Sequence, residues 1–313
     1  MKRVVEDPSV CWIADIWQAV PEGPSGLAFI EVPFDYAVSH RPGARFAPAA
    51  ILNALGALAT TNLDRRQDVA VLPCFRLGTV APDHDFERAY AKIEAAALEA
   101  PADWTLISIG GDHSITDPLL RATKKRFSHA EIGLVHIDAH LDCRPPRKGQ
   151  EHSGHWVYTA SDVISFERMA QLGVSAPVYS LEYVAELEAK GVLLRTTSEM
   201  RRDPQLVREE LTHRLDGVDG LYITLDIDAI DQAFAPGTSV PCTNGLFPYE
   251  VMDLLFLLGA RYRILGFDLT EVSPPLDQTG ATVALAAELI HHLWAGIAAH
   301  LTAVIRGKTS PAS

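Results

Sequence analysis

The chain has 313 residues, of which 48% are hydrophobic and 21% charged, a composition that supports a substantial core and excludes intrinsic disorder. With 40 acidic against 27 basic residues the formal charge is −13, and no long Lys/Arg tract relieves it. Nucleic acid and anionic membrane surfaces, which are bound chiefly by positive fields, are therefore not expected partners. Four scattered cysteines, Cys11, Cys74, Cys143 and Cys242, form no CxxC pair, so neither a disulfide framework nor a zinc ribbon is expected. The opening MKRVVEDPSV lacks the apolar stretch of a secretory signal, and no window supplies about eighteen consecutive apolar residues. A cytoplasmic location is the simplest expectation.

Apolar runs and helical spacing alternate along the chain. A strand is expected at 27–34, then a helix at 48–60 beginning at a proline, a second strand at 68–74, a helix at 83–100 and a strand at 104–110. A helix at 117–127 and a strand at 132–138 follow. The stretch 163–173 has helical spacing and a closing glycine, and APVYSLE reads as a short strand. A polar helix over PQLVREELTHRL, a strand at 220–228, a helix at 249–260, a strand at 262–271 and a long helix at 280–301 complete the order. Strand runs that are continuously apolar and separated by helices of ten or more residues predict a mainly parallel sheet covered on both faces, an α/β/α arrangement. No repeat, composition break or linker interrupts the chain, so a single domain is expected, with residues 1–26 as an N-terminal extension and 302–313 as a frayed tail.

Four of the expected strands end in one kind of chemistry. WTLISIG runs into GDHS with Asp112 and His113; LVHI runs into DAHLD with Asp138, His140 and Asp142; YITL runs into DIDAID with Asp226 and Asp228; ILGF runs into DLTE with Asp268 and Glu271. In an open parallel sheet those carboxyl ends lie together. Residues two apart in extended chain share a side, which groups Asp138 with His140 and Asp142, and Asp226 with Asp228. Four carboxylates brought together without compensation repel and protonate. Two divalent cations balance them, with His113 and His140 as neutral nitrogen ligands. Oxygen-rich donors with two imidazoles suit Mn²⁺ better than structural zinc, and such an ion pair activates water for attack on a trigonal carbon.

GGDHS (110–114), DAHLD (138–142), LDIDAID (225–231) and GFDLTEVSPPLDQTGAT (266–282) resemble, in order, the signatures of the ureohydrolases, the family of arginase and agmatinase. PFDYAVSHRPGARFAP (33–48) resembles the agmatinase side of that family, and the resemblance spans residues 27–300. It implies an arginase-like three-layer α/β/α fold, a binuclear Mn²⁺ centre, a homotrimer or homohexamer, and hydrolysis of a guanidino or related amidine group. It also implies that His113, Asp138, Asp142 and Asp226 surround one ion and His140, Asp138, Asp226 and Asp228 the other, so that Asp138 and Asp226 bridge. Asp142 would pass a proton to the leaving amine, and Glu271 would pair with the guanidinium.

Departures from the family pattern bear on the substrate. Where agmatinases carry an HGT segment, this chain has EHSGHWVYTA, which leaves His152, Ser153 and His155 open for the pocket position, with His155 preferred. Asn244 stands in place of a glycine, Cys242 adds a soft group, and Trp156 with Tyr158 suggests a large flat wall. Arg144 and Arg147 follow Asp142 and are candidates to receive a substrate carboxylate. The expected reaction is hydrolysis of a guanidino compound, agmatine or a guanidino acid, to urea and an amine. Formiminoglutamate hydrolysis to formamide is the near rival, and free or N-alkylated guanidine, with a preference for Ni²⁺, is a further one. A non-catalytic oligomer subunit is disfavoured because all six expected metal ligands are present.

Overall fold

The computed structural model describes residues 7–146 and 152–309. Its eleven strands are β1 (Trp17–Gln18), β2 (Leu27–Glu31), β3 (Thr61–Asn62), β4 (Gln67–Asp68), β5 (Cys74–Thr79), β6 (Thr105–Ile109), β7 (Ile132–Ile137), β8 (Met169–Val174), β9 (Leu193–Thr196), β10 (Gly220–Asp226) and β11 (Ile264–Thr270). The helices are α1 (Ala47–Gly56), α2 (Phe86–Leu98), α3 (Thr116–Arg126), α4 (Trp156–Thr159), α5 (Leu181–Ala189), α6 (Thr197–Arg202), α7 (Pro204–Arg214), α8 (Pro248–Arg261) and α9 (Ala281–Thr309). Nine strands form one sheet in the order β1-β5-β2-β6-β11-β10-β7-β8-β9, with every pairing parallel, while β3 and β4 make a separate antiparallel hairpin.

Every residue of β2, β6, β7, β10 and β11 is buried, as a parallel sheet sandwiched between helices requires. Alternation splits each strand between two cores. Leu27 and Phe29 share one core with Ile51 of α1, Leu255 of α8 and Trp294 of α9, whereas Ala28 and Ile30 belong to the other, with Ile93 of α2, Leu119 of α3 and Leu187 of α5. The three-layer α/β/α architecture is thus the expected one.

Three elements differ from the sequence expectation. Residues 69–71 form a short 3-10 turn because the Asp68 carboxylate accepts the Ala70 N–H, and the strand starts only at Cys74. The stretch 163–173, read as helical, becomes β8 from Met169, buried between β7 and β9. A short apolar run does not reveal its period, and strand pairing decided it. APVYSLE forms no strand: Pro177 and Val178 are exposed, and α5 begins at Leu181.

Trp17–Gln18 adds a parallel edge strand to β5, and the closing helix runs on to Thr309. Ala281–Val304 has the length and hydropathy of a membrane span, but 72% of its most apolar window is buried against the rest of the protein, as in the core helix of a globular fold.

Candidate metal centre and substrate cavity

Strands β6, β11, β10 and β7 are consecutive in the sheet and parallel, so their carboxyl ends meet at one edge. After β6 the chain passes so close to the residue Phe34 carbonyl that a Cβ on Gly111 would fall 1.7 Å from its oxygen, which explains the glycine before Asp112. Asp112 caps the turn that follows, accepting the Ser114 N–H at 3.1 Å and the Ala37 N–H at 2.8 Å, and His113 is fully buried. Asp142 (φ 47°) and Glu271 (φ 61°) both occupy the left-handed region. For non-glycine residues such conformations cost about 1–3 kcal/mol, and they cluster at functional sites.

The donors converge. His113 Nδ1 lies 3.1 Å from Asp138 Oδ2, 3.2 Å from Asp142 Oδ2 and 3.1 Å from Asp226 Oδ2, yet it makes no well-directed hydrogen bond with any of them. His140 Nδ1 lies 3.4 Å from Asp138 Oδ1 and 3.2 Å from Asp228 Oδ2. The two oxygens of Asp138 therefore face the two imidazoles, one each. Asp228 Oδ1 and Glu271 Oε2 are buried without a partner.

Charge balance points the same way. Burial, then the Asp226 charge, pushes the Asp228 pKa well above the carboxylate range; burial, then Asp138, raises that of Asp226. Burial opposes a charged His113, but the three carboxylates around it outweigh that and hold its pKa well above the imidazole range. A positive charge is therefore favoured where the three carboxylates meet the imidazole. Orphaned buried oxygens, an imidazole nitrogen equidistant from three carboxylates and close like charges fit two divalent cations, one on the His113 side and one on the His140 side.

Two layers of support lie behind these donors. His113 Nε2 meets Thr224 Oγ1 at 2.8 Å, and Thr224 donates to Asp268 Oδ1 at 2.6 Å, which turns Nδ1 toward the carboxylates. Asp268, grouped with the strand-end donors from the sequence, thus serves to orient His113. His136 was missed by the sequence reading, which took LVHI as an apolar approach. Its signal was the alternation itself, His136 standing two before Asp138. Gln171, its register partner on β8, donates to His136 Nδ1 at 2.8 Å and to the Leu141 carbonyl at 3.0 Å. His136 Nε2 consequently donates to Asp138 Oδ2 at 2.8 Å. His136 is close enough to be a ligand itself, but the Gln171 bond commits it to holding the Asp138 carboxylate. Gln171→Ala is expected to weaken metal affinity about 10- to 100-fold while leaving the number of ions at saturation unchanged, as read by titration with competing chelators.

Above the donors opens a cavity of about 300 Å³. Its acidic end carries His140, Asp142, Asp226, Asp228 and Glu271; its walls include Ser39, Arg144, Ser153, Tyr179 and Ser239. Arg144 stacks on the Tyr179 ring (4.2 Å) and donates to the Val178 carbonyl at 2.6 Å. Arg147 lies outside the described residues.

The structure places the remaining pocket candidates elsewhere around the centre. His155, preferred from the sequence, does not line this cavity, nor does His152. The two ring centroids lie 3.6 Å apart with their planes tilted by 44°, and each ring is tied to the turn 153–155, His152 Nδ1 accepting the Gly154 N–H and His155 Nδ1 the His152 N–H. That reciprocal capping leaves Ser153 on the cavity wall and turns both histidines to a neighbouring cleft with Phe86 and Tyr90. Trp156 is buried behind the centre, its ring 5.4 Å from His113 and 4.9 Å from His136. It packs against His113 and His136, and Tyr158 is exposed outside. Asn244 takes a left-handed turn (φ 60°) and bonds Ser198 and Arg201, away from the cavity. Tyr179, which accepts the Asp142 N–H at 3.3 Å, and Ser39 were not foreseen, because loop walls leave no periodic trace.

The arginase family model matches residues 25–296. The chain belongs to the arginase family. Among its relatives, the human mitochondrial guanidino acid hydrolase is 33% identical, covering 88% of this chain and 79% of its own. The formimidoylglutamase of Halobacterium salinarum is 34% identical over 84% of this chain and 85% of its own. The solved proclavaminate amidinohydrolase of Streptomyces clavuligerus superposes with a TM-score of 0.83 at 28% identity, covering 96% of this chain and 100% of that one. No branch stands apart, so within the arginase family the agmatinase-like placement expected from residues 33–48 narrows to family membership alone.

Proposed function

We propose that this arginase-family chain is a two-cation hydrolase of a guanidino acid, releasing urea and an amino acid. The observation that carries the reading is the polarity of the cavity: carboxylates at one end and the Arg144 guanidinium on its wall. A linear substrate with a cationic guanidinium and an anionic tail matches both ends. The names of the three relatives support a carboxylate tail, whereas agmatine would set an ammonium against Arg144.

His113, Asp138, Asp142 and Asp226 would hold one cation, and His140, Asp138, Asp226 and Asp228 the other. When bound, the cations supply Lewis acidity and a nucleophile at neutral pH, and the donor set favours Mn²⁺. Glu271 holds the guanidinium so that its trigonal carbon faces the centre. Asp142 carries the protons of the attacking water to the departing nitrogen, so that water adds to the guanidino carbon, the C–N bond to the tail breaks, and urea leaves with an alkylammonium that keeps the substrate's positive charge. Arg144 fixes the tail through charge-assisted hydrogen bonds.

Arg144→Gln is expected to raise KM for 4-guanidinobutyrate by about 10- to 100-fold, the loss of a charge-assisted contact, and to leave agmatine turnover unchanged or improved. Steady-state kinetics of the Mn²⁺-loaded enzyme with both substrates, following urea, test this. Equal effects on both would sink the carboxylate role, and hydrolysis of free guanidine unaffected by the substitution would identify a tailless substrate.

Formimidoylglutamate is the second reading, favoured by Ser153 and not a histidine on the cavity wall. It also presents carboxylates to Arg144, and formamide in place of urea would assign it.

A further inference from the structure

Asp142 takes a left-handed backbone conformation (φ 47°) although it is not glycine, and such a conformation persists only where the surroundings over-determine it. The peptide unit that enters it is held at both ends. Gln171 Nε2 donates to the Leu141 carbonyl at 3.0 Å, and the Asp142 N–H, which belongs to the same peptide unit, donates to the Tyr179 hydroxyl at 3.3 Å. On the far side the Asp142 carbonyl accepts the Val157 N–H at 3.1 Å. A buried N–H needs an acceptor, and a side chain from the loop between β8 and α5 supplies it here. The plane of that peptide sets the direction in which the Asp142 side chain leaves the backbone, and its Oδ2 comes to 3.2 Å from His113 Nδ1.

The ring of the same tyrosine carries Arg144. The guanidinium lies 4.2 Å over the ring centroid and donates to the carbonyl of Val178, the preceding residue, at 2.6 Å. Tyr183 of α5 meets the Tyr179 ring edge-on at 6.0 Å, and the His140 ring does so at 6.4 Å. A guanidinium stacked on a fixed aromatic face is pre-oriented for a carboxylate. Tyr179 thus touches both Asp142 and Arg144, and it borders the cavity between them.

We propose that Tyr179 is a positioning residue with two separable parts. Its hydroxyl fixes the Leu141–Asp142 peptide and so aims the Asp142 carboxylate at the metal centre, and its ring holds the Arg144 guanidinium where the substrate tail arrives. The second part rests on the guanidino-acid reading given above; the first does not.

The test compares Tyr179→Phe, which keeps the ring, with Tyr179→Leu, which keeps neither part, by titration of Mn²⁺ against competing chelators and by steady-state kinetics. Both variants are expected to bind two ions at saturation, which certifies the fold, with the affinity of one ion lowered about tenfold. Tyr179→Phe should lower kcat about tenfold and leave KM for 4-guanidinobutyrate unchanged. Tyr179→Leu should also raise that KM about 5- to 10-fold, without raising KM for agmatine. Wild-type ion affinity in Tyr179→Phe would overturn the role of the hydroxyl, and an unchanged KM in Tyr179→Leu that of the ring. A raised KM in Tyr179→Phe would show general loosening of the loop and overturn the division. Wild-type protein that hydrolyses no guanidino acid would sink the reading of the substrate, and the ion titration, which uses no substrate, would still decide the role of the hydroxyl.

Discussion

Asp228→Asn and Asp138→Asn are expected to abolish turnover alike, by about a thousandfold or more, and to shift the stability of the metal-free protein in opposite directions. Asp228 is buried beside Asp226, and its folded pKa is raised well above the ordinary value. A carboxylate of that kind binds its proton more tightly when folded. Its unfavourable contribution grows as pH rises from the unfolded pKa toward the raised folded one, and the amide removes it. Burial also works against Asp138, but the His113, His136 and His140 imidazoles around it hold its pKa well below the ordinary value. That stability is present at neutral pH and is lost only as pH falls through the depressed folded pKa; the amide forfeits it throughout the neutral range. Each change is about 1–2 kcal/mol, an ordinary size for altering a buried charge. Calorimetry at pH 7 in chelator, with ion counting and urea release, measures all three effects. Shifts of the same sign in both variants would contradict the electrostatic account of the centre.

Glu271→Gln is expected to keep both ions and still lower kcat/KM about 100- to 1,000-fold. The side chain accepts the His113 N–H through Oε1 at 3.0 Å, while Oε2 is buried without a partner at the cavity. Burial, then the charges of Asp226 and Asp112, raises its pKa well above the ordinary value, so a guanidinium is the partner that would hold it ionised. Glutamine keeps the shape and the bond to His113 but not the charge. Retained ions with weakened turnover support guanidinium binding. Loss of an ion together with activity would make Glu271 part of the metal centre and remove its substrate role.

The donor set was legible in the sequence because its cause is local. A buried strand needs a continuous apolar run, and where that run stops at Asp and His those groups are delivered to its carboxyl end, although turns and not extended chain orient Asp142 and Asp228. Four such ends in one parallel sheet leave few arrangements, which is why His113, Asp138, His140, Asp142, Asp226 and Asp228 meet in space. His136 shows the limit: its alternation was visible, but Gln171 and β8 decide what its ring holds, and β8 itself read as helix.

The substrate end was not legible. His152, Ser153 and His155 are indistinguishable as pocket residues on a linear chain, and a three-residue capping turn settles which of them faces the cavity. Trp156 read as a substrate wall, yet it packs behind His113 and His136. By itself the sequence determined the layered α/β/α fold, through continuous apolar runs alternating with helices, and which Asp and His side chains gather at one edge, through the strand ends that carry them. Only the tertiary structure decided the walls of the cavity, because loop side chains are oriented by capping bonds and packing between segments distant in sequence, and no local period records such contacts.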